Sequence, residues 1–530
     1  MFNKGGRVNK RTKIIGTLGP ATESESTLHS MIVAGMDMAR LNFSHGTHEE
    51  HRAHVDTVKK VREELGRPVG IILDTKGPCI RTGMLAGGEP VHLFAGDRLI
   101  LTEEAVEGTA ARIHQSFRGL SDFVSSGSSI LLDDGQIELA VDRLSGSDII
   151  CTVQNPGTLG QCKQLNIPDV AIPMPIMTEQ DEADLRFGID LGIDYVAASF
   201  IRSEQDIRTI RAFLDDNGGK SIDIMSKIEN AQAIENIEEI IAASDAIMVA
   251  RGDLGVEVDP ASVPHLQKKI VQACNRAFRP VVIATHMLDS MVRAPHPTRA
   301  EVADVANAIY DGADALMLSG ETAIGTYPQL AIKTMARIAR ASETYLLSET
   351  NIPNRDVAQT RVSPMIAHAA VNTAEALAAR CIVTPTLTGR TALLVSNFRP
   401  KVPIYAVTAT EEVARKLSLC WGVESILGSI QGDASQILAR SEQAVVDAYL
   451  AKTGDLAIFT LGDRETSPEA SEVAIGSSQR TVHATNVVEV VQVKASPSRL
   501  QHATADDDES DTRREDDNIC NSDTTCKERS

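Results

Sequence analysis

Short apolar and β-branched runs return at intervals through the first two thirds of the chain. They are "TKIIGT" (12–17), "MDMARLN" (36–42), "VGIILD" (69–74), "DYVAASF" (194–200), "IDIMSK" (222–227), "AIMVAR" (246–251), "VVIATH" (281–286) and "ALMLSG" (315–320). Each has the length of a buried strand and is followed by polar residues. Stretches such as "SEQDIRTIRAFLDDNG" and "RAEVADVANAIYDGA" lie between them, apolar at helical spacing. Eight strand–helix alternations predict an α/β fold, a closed (β/α)8 TIM barrel rather than an open doubly wound sheet.

The third and fourth runs are far apart. Residues 84–169 between them are rich in glycine and in short alternating stretches such as "GSSILLDDGQIELAVDRL". This predicts a small β-barrel domain inserted after the third strand, placed to act as a lid. The barrel would then comprise residues 1–83 and 170–345. A separate C-terminal α/β domain is expected over 357–495, and residues 496–530 read as an acidic disordered tail.

Composition narrows the function. Only 3% of residues are aromatic, with one tryptophan, and the net charge is -20, which speaks against nucleic-acid binding. No apolar run approaches the roughly 20 residues that span a bilayer, so no membrane partner is expected. The eight cysteines (79, 151, 162, 274, 381, 420, 520 and 526) form no C-x-x-C pair and suit reduced thiols in the cytoplasm.

In a TIM barrel the chemistry sits where the strands end. The second run is followed by Arg40, Asn42, Ser44 and His45, and the third by Asp74, Thr75, Lys76 and Arg81. Lys227 and Glu229 follow the fifth run, two places apart and so on one side of an extended strand. A lone K-x-E is an ordinary ion pair. Here Arg251 and Asp253 close the sixth run, Thr285 and His286 the seventh, and Ser319 and Glu321 the eighth. Glu229 and Asp253 suit Mg2+, which takes oxygen ligands and shares its shell with phosphates. Arg40, Lys76, Arg81 and Lys227 are phosphate partners, and phosphoryl transfer is the reaction that uses such a set.

The stretches "RLNFSHGTHEEH", "ILDTKGP", "SKIEN", "MVARGDLGVEV", "PHPTRAEVADVANAI" and "LMLSGETA" together resemble the pyruvate kinase family, over residues 10–495. The resemblance implies transfer of the phosphoryl group of phosphoenolpyruvate to ADP, giving pyruvate and ATP. It implies Lys227 as the cation on the moving phosphoryl group, Arg40 on the phosphate, and Glu229 with Asp253 on Mg2+. Substrate would also meet Gly252, Thr285 and Ser319, with Thr285 beside the carbon that takes up a proton. Asn42, Ser44, Asp74 and Thr75 would hold K+. Asn42, His45, Arg81 and the lid's Lys163 would meet the nucleotide. Thr386, Thr388, Gly389 and Thr391 resemble the family's loop for a sugar-phosphate effector, and a cytoplasmic homotetramer is implied.

Some residues depart from the family pattern. Cys79 stands where glutamate is common, His286 where glutamine is usual, and Ile324 where lysine is usual. Two other readings stay open at this stage. One is another metal-dependent barrel enzyme acting on phosphoenolpyruvate or a related keto acid. The other is a catalytically silent protein that binds the effector.

Overall fold

A computed structural model describes residues 10–168, 170, 172–348, 362–462, 471–475, 478–482 and 485–494. The acidic tail from 496, Cys520, Cys526 and the domain boundary at 357 lie outside them. Eight parallel strands close into a barrel: β1 (Lys13–Thr17), β2 (Met38–Asn42), β3 (Gly70–Asp74), β4 (Tyr195–Ala198), β5 (Asp223–Ile228), β6 (Ala246–Ala250), β7 (Val281–Ala284) and β8 (Ala315–Leu318). Each expected run coincides with one of these strands, the fifth stopping one residue short of its end at Ile228. Alternate residues fill the barrel interior, among them Ile15, Met38, Ile72, Met225, Met248 and Met317. The intervening residues meet the outer helices in a larger core. Burial on both faces is why the runs read as continuously apolar.

Four aspartates anchor the amino-terminal rim. Asp37, Asp194, Asp245 and Asp314 directly precede β2, β4, β6 and β8. Their carboxylates accept the N–H groups of Ile14 (2.8 Å), Ile71, Ile224 and Val281 (each 2.9 Å), on the neighbouring odd-numbered strands. Three of them follow a helix-ending glycine two places earlier. Gly35, Gly192 and Gly312 adopt φ of 124°, 65° and 103°, where a side chain would be strained. A G-x-D signature thus stops a helix, turns the chain and pins the next strand.

A second β domain follows β3. Its seven-stranded sheet starts with Ile80–Arg81 and includes Gln164–Asn166 as the return strand. The two sheet edges meet at a Thr82–Gln115 bridge, with Gly83 N–H on the His114 carbonyl (2.8 Å) and Ser116 N–H on the Arg81 carbonyl (3.0 Å). That closure gives the small β-barrel a core of its own, including Leu99, Leu101, Ile113, Ile130 and Leu139.

The C-terminal sheet runs in the order Val423–Leu427, Ile404–Thr408, Cys381–Pro385, Leu456–Leu461, Val487–Gln492; only the last strand is antiparallel. This domain docks under the barrel. Leu419 enters the barrel's interior cluster, while Arg399 and Arg415 reach Asp314 (2.7 Å) and Asp194 (2.8 Å) at the rim. Among the described residues no helix is long and apolar enough to cross a membrane.

Candidate active site at the carboxyl ends of the barrel strands

Lys227 stands at the centre of the upper rim. Its Nζ lies 2.8 Å from Glu229 Oε1 and 3.1 Å from Asp74 Oδ1, and donates to Ser199 Oγ at 2.7 Å. Three strands supply these groups: β3 ends in Asp74, β4 runs into Ser199, and β5 carries Lys227. Arg40, from the end of β2, donates through Nε to Asp74 Oδ2 (2.6 Å) and through Nη1 to Thr17 Oγ1 (3.1 Å). Asn42 and Asp74 are direct register partners, so the oxygens at the ends of β2 and β3 lie side by side. Asn42 Oδ1 accepts the Ser44 N–H (3.2 Å), and Thr75 Oγ1 accepts that of Ser199 (3.1 Å).

Burial sets the electrostatics. Lys227 is 8% exposed and Glu229 and Asp74 are 0% and 1% exposed. Burial works against the ammonium, but Asp74, Glu229 and Asp253 outweigh it and raise the pKa of Lys227, so the cation stays charged. Burial also opposes ionisation of Asp74, and there Arg40 and Lys227 prevail, holding its carboxyl below the ordinary range. At Glu229 burial wins. Despite Lys227 and the Phe200 N–H on Oε2 (2.7 Å), its carboxyl is pushed well above the carboxylate range, with Asp253 adding repulsion.

That imbalance fits a divalent cation. Glu229 Oε1 is buried without a regular hydrogen bond, its close neighbour being the Lys227 ammonium. Asp253, in the first turn of the helix Arg251–Glu257, faces the same space closely enough to raise Glu229 and Lys227 alike. Among the described residues no three His, Cys, Asp or Glu side chains gather around one point. Two carboxylates with the remaining positions left to water and substrate oxygens are the usual arrangement for Mg2+.

The loop after β7 is strained. Thr285 and His286 adopt φ of 70° and 53°, an unusual region for a β-branched residue. Arg251 holds the strain in place, donating to the Thr285 carbonyl (2.7 Å) and pairing with Asp304 (2.7 Å). The Thr285 hydroxyl accepts the Gly252 N–H at 2.7 Å. The segment around Gly252 is therefore the first turn of a helix rather than an open turn. Glu321 takes the N–H groups of Leu288 (3.0 Å) and Ser319 (2.8 Å), tying the ends of β7 and β8 together. Arg251 and Glu321 are thus structural supports.

The lid adds cations on the open side. Arg81 Nη1 donates to the Cys162 carbonyl (3.0 Å) and Nε to Cys79 Sγ (3.2 Å), while Lys163 pairs with Asp133 at 2.9 Å. The His45 imidazole, although exposed, is held below its ordinary pKa by desolvation and then by Arg81, Arg40 and Lys76. Positive charge is concentrated there within a chain of net charge -20. Asp134, beside Asp133, has its carboxyl pushed up by burial and then by Asp253 and Asp133, so this lid turn faces the Asp253 helix.

Far away, in the C-terminal domain, the loop before the helix Arg390–Asn397 carries the remaining candidates. Thr386 Oγ1 accepts the Gly389 N–H (3.0 Å), Gly389 has φ of 86°, and Thr391 Oγ1 meets Thr485 Oγ1 at 2.8 Å. Two of the hydroxyls therefore already have partners within the fold.

Ser199, Asp133 and Asp134 escape a reading of the sequence alone. Ser199 sits inside the fourth run, where it looks like a strand residue, though the rule that barrel strands end in chemistry applies to that run as well. For the lid, "LLDDGQ" carries a turn signal but nothing that aims it at Asp253.

A closed barrel with buried, mutually paired charges where its strands end, and a second domain above them, defines a TIM-barrel enzyme for an anionic substrate. The barrel-domain model of pyruvate kinase matches residues 9–332, and its alpha/beta-domain model matches residues 365–475. The pyruvate kinase of Clostridium acetobutylicum is 45% identical over 455 residues, 86% of this chain and 96% of the relative. That of Sporosarcina psychrophila is 45% identical over 465 residues, 86% of this chain and 78% of the relative. The crystal structure of a pyruvate kinase from Cryptosporidium parvum superimposes with a TM-score of 0.82 at 37% identity, covering 91% of this chain and 96% of that one. The chain belongs to the pyruvate kinase family and is a phosphotransferase.

Proposed function

We propose that this protein transfers the phosphoryl group of phosphoenolpyruvate to ADP, giving pyruvate and ATP, with Lys227 as its central catalytic residue. The observation that carries this reading is the buried Lys227 ammonium held by Asp74, Glu229 and Ser199. A cation with so little freedom is preorganised to meet charge that develops on a group in transit, at no reorganisation cost. Arg40, kept in place by Asp74 and Thr17, would grip the phosphate.

Mg2+ would be held by Glu229 and Asp253 and would supply charge neutralisation for the phosphoryl group. K+ would lie among Asn42, Ser44, Asp74 and Thr75. Asn42, His45, Arg81 and Lys163 would receive the nucleotide, which requires Lys163 to leave Asp133. Gly252 and Asp253 would meet the substrate carboxylate end, so substrate entry would compete with Thr285 for the Gly252 N–H. Thr285, with Ser319 nearby, would then stand beside the carbon that takes up a proton. We further assign the lid to 84–169, the effector domain to 357–495, a sugar phosphate to Thr386, Thr388, Gly389 and Thr391, a homotetrameric assembly, and a cytoplasmic location.

The test is a coupled assay for ADP-dependent pyruvate release, with and without Mg2+ and with K+ against Na+. Expected are loss of activity without Mg2+ and near-complete loss of turnover in Lys227→Met with phosphoenolpyruvate binding retained. Equal turnover in that variant would overturn the reading and leave a silent, effector-binding protein.

A further inference from the structure

One corner of the lid rests on the short helix Arg251–Glu257, which carries Asp253. That corner is built from the turn at Asp133, Asp134 and Gly135 and from the strand Gln164–Asn166, and the two pieces are joined to each other. The Asp133 N–H donates to the Gln164 carbonyl (3.0 Å), Lys163 pairs with Asp133 (2.9 Å), and Asn166 is the register partner of Leu131. All three turn residues lie in the left-handed region, with φ of 52°, 55° and 79°, an uncommon run where two of them are not glycine.

The helix residues that meet this corner share one face. Asp253, Val256 and Glu257 stand at positions i, i+3 and i+4. A Cβ added to Gly135 would lie 3.7 Å from both terminal carbons of Val256, so the backbone of the turn runs along that side chain. Asp134 comes near enough to Asp253 to feel its charge, and these two carboxylates repel. The attractive polar contact is Asn166 Nδ2, which donates to Glu257 Oε1 at 2.6 Å from a side chain in a residue only 7% exposed. A hydrogen bond from a buried amide to a carboxylate is among the stronger kinds, and here it works against the repulsion beside it.

We propose that Asn166 and Glu257 are positioning residues for the nucleotide: their hydrogen bond sets the attitude of the lid on the Asp253 helix and so presents Lys163 to the phosphates of ADP. The proposal rests on the reading of Lys163 as a nucleotide residue. Lys163 is three positions before Asn166 on the same return segment, so the two move together. Incoming nucleotide then has only to draw the Lys163 side chain off Asp133, with the lid already seated.

The test exchanges the ends of the bond. Asn166→Asp sets two carboxylates against each other at unchanged side-chain length, and adding Glu257→Gln restores a donor and an acceptor in reversed roles. Asn166→Asp raises KM for ADP about tenfold, as expected for the loss of a charge-assisted hydrogen bond. It moves KM for phosphoenolpyruvate by less than about twofold. Hydrogen exchange in peptides spanning 129–137 and 163–168 of the substrate-free protein becomes faster. The double variant returns KM for ADP to within about threefold of wild type and restores the slower exchange. Asn166→Ala removes the donor without adding charge; it raises KM for ADP as well, and it decides the matter if Asn166→Asp does not fold. Three results would each overturn the proposal: wild-type KM for ADP in the folded single variants, an equal rise in KM for both substrates, or a double variant no better than Asn166→Asp. Wild-type protein without ADP-dependent pyruvate release would overturn the assigned reaction instead, and the exchange comparison would still read how the lid is held.

Discussion

Replacing Ser199 with alanine removes one oxygen from the centre of the site and nothing from its periphery. Ser199 Oγ accepts from Lys227 at 2.7 Å and donates to the Thr75 carbonyl at 2.6 Å, both fully enclosed. In the variant the ammonium keeps Asp74 and Glu229, so it stays charged but loses the neutral group that balances their pull. A hydrogen bond to a buried charge contributes about 1.5–3 kcal/mol. If that holds Lys227 in its working position, kcat falls roughly ten- to hundredfold. Arg40, the proposed phosphate partner, keeps its contacts to Asp74 and Thr17, so KM for phosphoenolpyruvate should move by less than about threefold. Steady-state kinetics with both substrates saturated in turn, together with a thermal midpoint to confirm folding, make the measurement. Serine at 199 also lies against Gly77, where an added Cβ would approach its Cβ to 2.9 Å, so alanine is the replacement that adds no bulk. A folded Ser199→Ala enzyme with kcat within twofold of wild type would refute the claim that this hydroxyl positions Lys227.

Two further outcomes follow from buried charges away from the chemistry. Arg399 and Asp314 pair at 2.7 Å with side chains 3% and 4% exposed, joining the C-terminal domain to the foot of β8. Arg399→Ala should cost about 3–5 kcal/mol by leaving Asp314 unpaired; a urea midpoint unchanged from wild type would contradict this. His51 is buried and stacked on Phe43 at 4.1 Å, with one ring nitrogen facing the His45 carbonyl at 3.0 Å and Nδ1 unpartnered. Burial lowers its pKa against the opposing His45 carbonyl hydrogen bond, and His54, Asp184 and His48 contribute smaller effects of both signs. The unfolded chain then takes up the proton first, so the contribution of His51 is present above the ordinary histidine value of 6.5 and is lost as pH falls below it. His51→Gln should flatten the acid limb of stability by up to about 1.4 kcal/mol per pH unit, read from unfolding midpoints between pH 7 and 5. An identical slope in both proteins would exclude His51 as a source of that limb.

Local pattern was enough to announce the barrel. Eight buried runs separated by amphipathic stretches favour a closed barrel over an open doubly wound sheet, whereas the G-x-D signatures at Asp37, Asp194 and Asp314 became readable only once the strand starts were placed. The pairing of Lys227 with Glu229 was equally legible, because side chains two apart in a strand must share a side. What only the tertiary structure decided is which distant groups meet. Ser199 is 28 positions from Lys227, and Asp74 is 125 positions from Ser199, with the whole lid between them. Barrel closure places β3, β4 and β5 side by side, and hydrogen-bond register then sets which rim residues fall within 3 Å. Neither closure nor register is written in any short window of residues. The same holds at the other end, where Arg415 finds Asp194 across a domain boundary, a contact made by the packing of two separate cores.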